Sequence, residues 1–258
     1  MPGLTAEEEQ DLRGRMASVL ARMQSASRKA AEAGLALAGN EKAVLVAISK
    51  RQPVEKLAVV AGAWKALAPD QPVIFGENYI QEGISKQEAL RELLPNDPPA
   101  AVRWHFTGHL QSNKAKLLPG RFELLHTLDS LSLAQNLQKN MRTGGATAVQ
   151  KALIQVNIGE EAQKSGVAPE DAAAFIKALA AFPAISVHGL MCLPPITGRA
   201  EDSRPFFYRL RQLRDSLERN LGLALPHLSM GMSQDFEIAL EEGASIIRVG
   251  TDLFGERK

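Results

Sequence analysis

Residues 43–57 read A-V-L-V-A-I-S-K-R-Q-P-V-E-K-L, a short, dense apolar run that delivers a lysine and then turns through a proline. Val44 to Ile48 have the length and β-branching of a buried strand, and Pro53 marks the turn into a helix. Lys50 therefore stands at a strand's carboxyl end. In proteins built from alternating strands and helices, ligands collect along that edge. A solvated lysine opening a loop is the plainer alternative, so the rest of the chain has to decide.

Working outward, the same alternation repeats. Strands are predicted over 72–78, 102–108, 122–128, 152–158, 185–191, 227–230 and 245–251, with helices over 54–67, 80–94, 111–118, 130–142, 169–181, 203–221 and 234–242. Before them, residues 5–38 read as one long helix. Thr5 and Glu8 form a capping-box pattern, and Leu12, Met16, Val19, Leu20 and Met23 recur at helical spacing. Eight strands, seven of them followed by a helix, predict a single α/β domain over 1–258: a (β/α)8 TIM-like barrel. Only seven residues follow Thr251, too few for an eighth full helix. The N-terminal helical extension, residues 1–40, is thus expected to pack on the barrel and complete the outer ring.

Composition narrows the function. Apolar residues at 45% and charged residues at 23% are ordinary for a globular chain. A net charge of +1 gives no reason to expect nucleic acid or an anionic membrane as partner, so anion binding would have to be local. One cysteine, Cys192, allows neither an internal disulfide nor a cysteine-cluster metal site, which fits a cytoplasmic setting. The acidic opening T-A-E-E-E-Q-D-L lacks the apolar core of a secretory signal, and no apolar run approaches the ~20 residues of a membrane span.

In a barrel, the carboxyl ends of the strands converge on one mouth. Read as a set, they supply Lys50; Gly76, Glu77 and Asn78; Thr107, Gly108 and His109; Asn157; Met191; Ser229 to Ser233; and Gly250 with Thr251. Loops after the seventh and eighth strands of such barrels often cradle a phosphate, and L-S-M-G-M-S-Q-D-F and R-V-G-T (248–251) have the glycines and hydroxyls to do so. A plain turn with a helix cap at Ser233 explains the first of these segments nearly as well. Arg248 interrupts an apolar strand; it needs either a core carboxylate or a ligand atom as partner.

Several longer motifs carry a resemblance. The chain resembles the pyridoxal 5′-phosphate (PLP) homeostasis proteins, themselves similar to the N-terminal barrel domain of alanine racemase. The likeness runs through A-I-S-K (47–50), F-G-E-N-Y-I-Q-E (75–82), W-H-F-T-G-H-L-Q-S-N-K (104–114), S-G-V (165–167), G-L-M (189–191), L-S-M-G-M-S-Q-D (228–235) and R-V-G-T-D-L-F-G (248–255). It implies that Lys50 holds PLP as a Schiff base, that the phosphate lies among Ser229, Gly231, Met232, Ser233, Gly250 and Thr251, and that Arg248 faces the pyridine nitrogen. Asn78, His105 and Asn157 match family positions near the mouth.

The implied role is intracellular PLP homeostasis by a monomer, without efficient catalysis and with PLP-requiring apo-enzymes as recipients. A PLP-dependent amino-acid racemase is the alternative. The racemase draws a second catalytic base from another domain of its partner, which this chain does not carry. A barrel enzyme for another phosphorylated metabolite, with Lys50 as nucleophile, is a third reading. Elsewhere the signals are weak: His105 and His109 need not share a face for metal binding, and Cys192 reads as a packed small side chain.

Overall fold

Eight parallel strands pair in sequence order: β1 (Val44–Ile48), β2 (Val73–Glu77), β3 (Val102–Phe106), β4 (Leu124–Leu128), β5 (Gln150–Val156), β6 (Ile185–Cys192), β7 (His227–Ser229) and β8 (Ile246–Val249). The last returns to pair with the first and closes the barrel. The computed structural model describes residues 3–35, 43–95, 102–143, 149–161, 163 and 165–256. Parallel neighbours cannot be joined by tight hairpins. The crossovers are α2 (Val54–Leu67), α3 (Ile80–Leu93), a 3₁₀ turn over Ser112–Leu117, α4 (Leu131–Thr143), α5 (Ala172–Leu179), α6 (Arg204–Leu221) and α7 (Phe236–Glu241).

The continuous apolar look of the strands has a two-sided cause. Val46, Ile74, Leu124, Leu153, Met191 and Ile246, with Val44 and Ile48 against them, fill the barrel interior. The intervening residues, Leu45, Ala47, Val73, Phe75, Leu125, Ile247 and Val249 among them, join the larger core beneath the helices. Gly189 shows how tightly β6 and β7 approach. Its φ is +147°, and a Cβ there would stand 1.9 Å from the His227 carbonyl oxygen, so the G-L-M motif begins on a residue that must lack a side chain.

The N-terminal helix α1 (Ala6–Glu32) starts on the expected capping box. The Glu8 amide donates to Thr5 Oγ1 at 3.2 Å, and the Thr5 amide donates to Glu8 Oε2 at 2.8 Å. Its apolar stripe, Leu12, Met16, Val19, Met23, Ala26 and Ala30, is buried against α2, α7 and the short α8 (Thr251–Phe254). Arg22 fixes it further, at 2.6 Å from both Glu237 and Asp252. The gap left by a four-residue eighth helix is thus filled as the sequence reading anticipates. α1 ends at Glu32, earlier than the predicted residue 38; residues 36–38 lie outside the described residues.

Two boundaries differ. Thr251 opens α8 instead of ending β8, because the chain bends sharply at Gly250 (φ −120°, ψ −73°). The helix predicted over 169–181 begins as a 3₁₀ turn, Pro169–Asp171, before α5. No helix among the described residues is long and apolar enough to cross a membrane.

Candidate functional site

Inward-facing positions on β1 alternate as Val44, Val46 and Ile48, so Lys50 continues the inward series just beyond the strand. Its neighbours follow from the register, Ile48 opposite Gly76 on β2 and Ala47 opposite Val249 on β8. Both flanks are glycine. A Cβ on Gly76 would come within 2.6 Å of Ile48 Cδ1, and one on Gly250 would meet Ile48 in ordinary contact at 3.5 Å. The structure therefore brings Lys50, Gly76, Asn78, Gly250 and Thr251 to one rim. Lys50 is partly buried there.

Arg248 stands opposite Val46 and is buried, 4% exposed. It donates to Ser229 Oγ at 2.6 Å and to the Cys192 carbonyl at 2.9 Å. Both acceptors are neutral, and among the described residues Arg248 makes no ion pair. Burial lowers its pKa from the ordinary guanidinium range. A direct core ion pair thus falls away; what remains is a cation at the mouth whose hydrogen-bond partners are neutral, with the buried Asp235 carboxylate attracting it from further off.

Ser229 departs from the phosphate-donor reading. It is fully buried, and its hydroxyl joins a chain of hydrogen bonds inside the barrel: His126 Nδ1 lies 2.9 Å from Ser229 Oγ, and His126 Nε2 lies 3.0 Å from His105 Nδ1. Arginine can only donate, so Ser229 accepts. Its own hydrogen then serves His126 Nδ1, and His126 donates from Nε2 to His105. In this ordering both rings are neutral and each shared hydrogen has an acceptor. His105 accordingly lies within the barrel, in this chain, and not at the rim. Burial, then His227, Arg103 and Lys151, lower its pKa to about 3, and burial holds His126 well below the usual value.

This has a pH consequence. An unfolded histidine charges below pH ~6.5, whereas His105 in the fold stays neutral until about 3. The unfolded state thus binds more protons across that window, and stability is lost as pH falls through it. His105 alone is worth ~1.4 kcal/mol per pH unit, about 2 kcal/mol by pH 5. Urea unfolding of the parent and of His105→Gln at pH 7 and pH 5 measures it: the variant should lose about 2 kcal/mol less than the parent between these pH values. Equal losses would refute the buried neutral ring.

The two predicted phosphate-binding segments do meet, and Ser233 joins them. Its hydroxyl oxygen accepts from the Gly250 and Asp252 amides, each at 3.3 Å, which leaves its single hydrogen to give elsewhere. Gly231 has φ +90°, and a Cβ there would press to 2.5 Å from Ala239 Cβ, so α7 packs directly on the turn. The Met232 amide donates to Asp235 Oδ1 at 2.8 Å, and the Met232 side chain is exposed, as is Thr251.

The remaining candidates divide. Asn78 is at the rim, oriented by Thr107, whose Oγ1 donates to Asn78 Oδ1 at 2.9 Å and leaves the amide hydrogens to face elsewhere. Asn157 uses its side chain on its own loop, donating to the Glu161 carbonyl at 2.9 Å and accepting from the Glu161 amide at 3.3 Å. Met191 lies deeper, fully buried and in register with Ser229, where it forms part of the floor. The Cys192 thiol is buried and pushed up to about 12. His109 sits by Asp129 at 4.0 Å, away from the His105–His126 pair. His126 was missed as a partner; its two-residue spacing from inward-facing Leu124 was the signal. A large cavity opens at the strands' amino ends, lined by Arg103, His105, Glu123, Lys151, His188 and His227 among others, and has neither Lys50 nor the glycine turns of the mouth.

The sequence profile of the alanine racemase N-terminal domain matches residues 36–258. The chain is 43% identical to the pyridoxal phosphate homeostasis protein of Aquifex aeolicus (strain VF5), over 95% of this chain and 97% of that one. Among solved structures it resembles PipY of Synechococcus elongatus PCC7942 at 31% identity. Without PLP, PipY superposes with a TM-score of 0.75 over 95% of this chain and 100% of that one. With PLP bound, the TM-score is 0.70 over 89% and 100%.

Proposed function

Because the chain belongs to the pyridoxal phosphate homeostasis proteins, within the alanine racemase N-terminal domain family, we propose that it holds PLP at the carboxyl-end mouth of the barrel and serves PLP homeostasis. When bound, PLP supplies an aldehyde able to condense with a primary amine. Lys50 is the amine: it stands at the rim, partly withdrawn from water, and it is the neutral form of a primary amine that attacks an aldehyde. The Ser233 hydroxyl, the Thr251 hydroxyl and the backbone around Gly231 and Gly250 hold the phosphate. Asn78 presents amide donors from the end of β2, on the other side of Lys50 from Gly250. Arg248 faces the ring nitrogen, held there by Ser229 and the Cys192 carbonyl.

The observation that carries this reading is Arg248: a buried cation whose hydrogen-bond partners are all neutral fits a ligand that brings a lone pair. A guanidinium donates and cannot accept, so a ring nitrogen facing it stays unprotonated and the ring draws electrons weakly. That suits storage and delivery over turnover. We read the chain as a monomer acting in the cytoplasm, with PLP-requiring apo-enzymes as recipients. The test is the visible spectrum of the protein with PLP before and after borohydride, followed by peptide mapping. A reduced adduct fixed on Lys50 is expected; a protein that gains no colour with PLP overturns the reading, and rapid racemisation of a free amino acid by pure protein overturns its non-catalytic part.

Thr251 provides a finer check. Thr251→Val keeps the shape but removes one hydroxyl donor, at a cost of ~1 kcal/mol, or roughly fivefold in PLP affinity. Equilibrium dialysis reads this directly, and an unchanged affinity removes Thr251 from the phosphate shell.

A further inference from the structure

Behind the Lys50 turn lies a buried charge cluster. Lys50 and Arg51 form the corners of a tight turn closed by the Gln52 amide, which donates to the Ser49 carbonyl at 2.9 Å. The same carbonyl accepts from Lys86 Nζ at 2.5 Å. Lys86 is 8% exposed and also donates to Glu77 Oε1 at 2.8 Å and to Glu82 Oε1 at 2.6 Å. Ser49 Oγ donates to Glu77 Oε1 at 2.6 Å. On the other side of Lys50, the Arg51 amide donates to Glu82 Oε1 at 2.5 Å. Arg51 itself has φ +59°, the left-handed region, which a residue with a Cβ occupies at a cost. Glu82 and Lys86 are one helical turn apart on α3, so a single helix face reaches both residues that flank Lys50.

Stability alone does not require this arrangement. Lys86 already has hydrogen-bond acceptors in Glu77 Oε1 and the Ser49 carbonyl without Glu82. The oxygen of Glu82 that binds Lys86 is the one that binds the Arg51 amide, and that amide belongs to the strained residue. We propose that Glu82 is a positioning residue for Lys50: by holding the Arg51 amide, with Lys86 holding Ser49, it keeps the turn in the left-handed form that presents the Lys50 amine to the mouth. This rests on the reading of Lys50 as the point of PLP attachment.

Three variants test it: Glu82→Ala, which removes the acceptor; Glu82→Gln, which keeps an acceptor without the charge; and Glu82→Ala combined with Arg51→Gly, since glycine adopts positive φ at no steric cost. Two readouts are followed: the rate at which borohydride-fixed PLP accumulates on Lys50, by peptide mapping, and hydrogen exchange of the 49–52 backbone in the protein without PLP. Thermal midpoints report folding. In Glu82→Ala, attachment should slow roughly tenfold, equivalent to about 1.4 kcal/mol, and exchange at Arg51 should speed up. Glu82→Gln should retain most of the parental rate, and the glycine double variant should recover to within about threefold, because the strain that Glu82 offsets is gone. A Glu82→Ala rate within twofold of the parent, or a double variant as slow as the single one, overturns the positioning role. A parent that yields no Lys50 adduct overturns the PLP reading and the positioning role with it, so the two failures are told apart by the parent alone.

Discussion

In Lys50→Ala, PLP followed by borohydride is expected to leave no fixed cofactor in the 43–57 region, and the visible band of the parent is expected to vanish. Lys50 is the lysine that follows the inward series of β1, beside two glycines whose Cβ-free backbones open the rim. Alanine keeps the backbone of the turn and leaves the charge cluster around Glu77, Lys86 and Glu82 intact, so the fold should survive. PLP would then be retained only by its phosphate and ring contacts. Such charge-assisted hydrogen bonds are worth ~1.5–3 kcal/mol each, so weak reversible binding should persist after the covalent signature is gone. A parental spectrum and parental adduct yield in this variant would show that another amine holds the cofactor.

Arg248→Met is expected to separate binding from stability. The guanidinium is buried with a hydroxyl and a carbonyl as its hydrogen-bond partners, an arrangement whose desolvation cost is offset only by the more distant Asp235 carboxylate. Methionine fills comparable space without that cost, so the thermal midpoint of the PLP-free protein should hold or rise. PLP affinity should fall about 30- to 100-fold, ~2–3 kcal/mol for a hydrogen bond to a charged group. The spectrum of bound PLP should also begin to titrate near neutral pH, since the ring nitrogen no longer faces a permanent donor. Lysine at this position would not substitute, because a point charge lacks the guanidinium's planar donor fork. An affinity within threefold of the parent would place the ring nitrogen elsewhere.

The barrel was legible because its strands are short apolar runs buried on both faces, separated by helices with caps and proline stops; α1 was legible from Thr5, Glu8 and its apolar stripe. Lys50, Gly250 and the meeting of the two phosphate segments followed from which strand ends share a mouth. What escaped was depth and pairing. Ser229 and Thr251 both read as rim hydroxyls, yet one lies on an inward strand position where Arg248 takes its oxygen and His126 its hydrogen, while the other opens a helix. His105 matched a motif, but its ring turns toward His126, which lies two residues beyond its β4 register partner Leu124 on the same inward face. Glu77 was read among the residues of the mouth, whereas strand alternation turns it outward toward Ser49 and Lys86. A string of letters carries the period of a strand, but not which of two hydroxyls is already spoken for.

The apolar layer of Val46, Ile74, Leu124, Leu153, Met191 and Ile246 bears on traffic. It fills the barrel between the mouth and the cavity at the amino ends, so on the proposed reading a molecule seated on Lys50 leaves by the door through which it came. Loading and unloading are therefore rivals for one doorway. On the same reading, a recipient enzyme docking there to collect PLP would block refilling for as long as it stayed, and delivery would run in discrete rounds, never as a flow passed from one end of the barrel to the other.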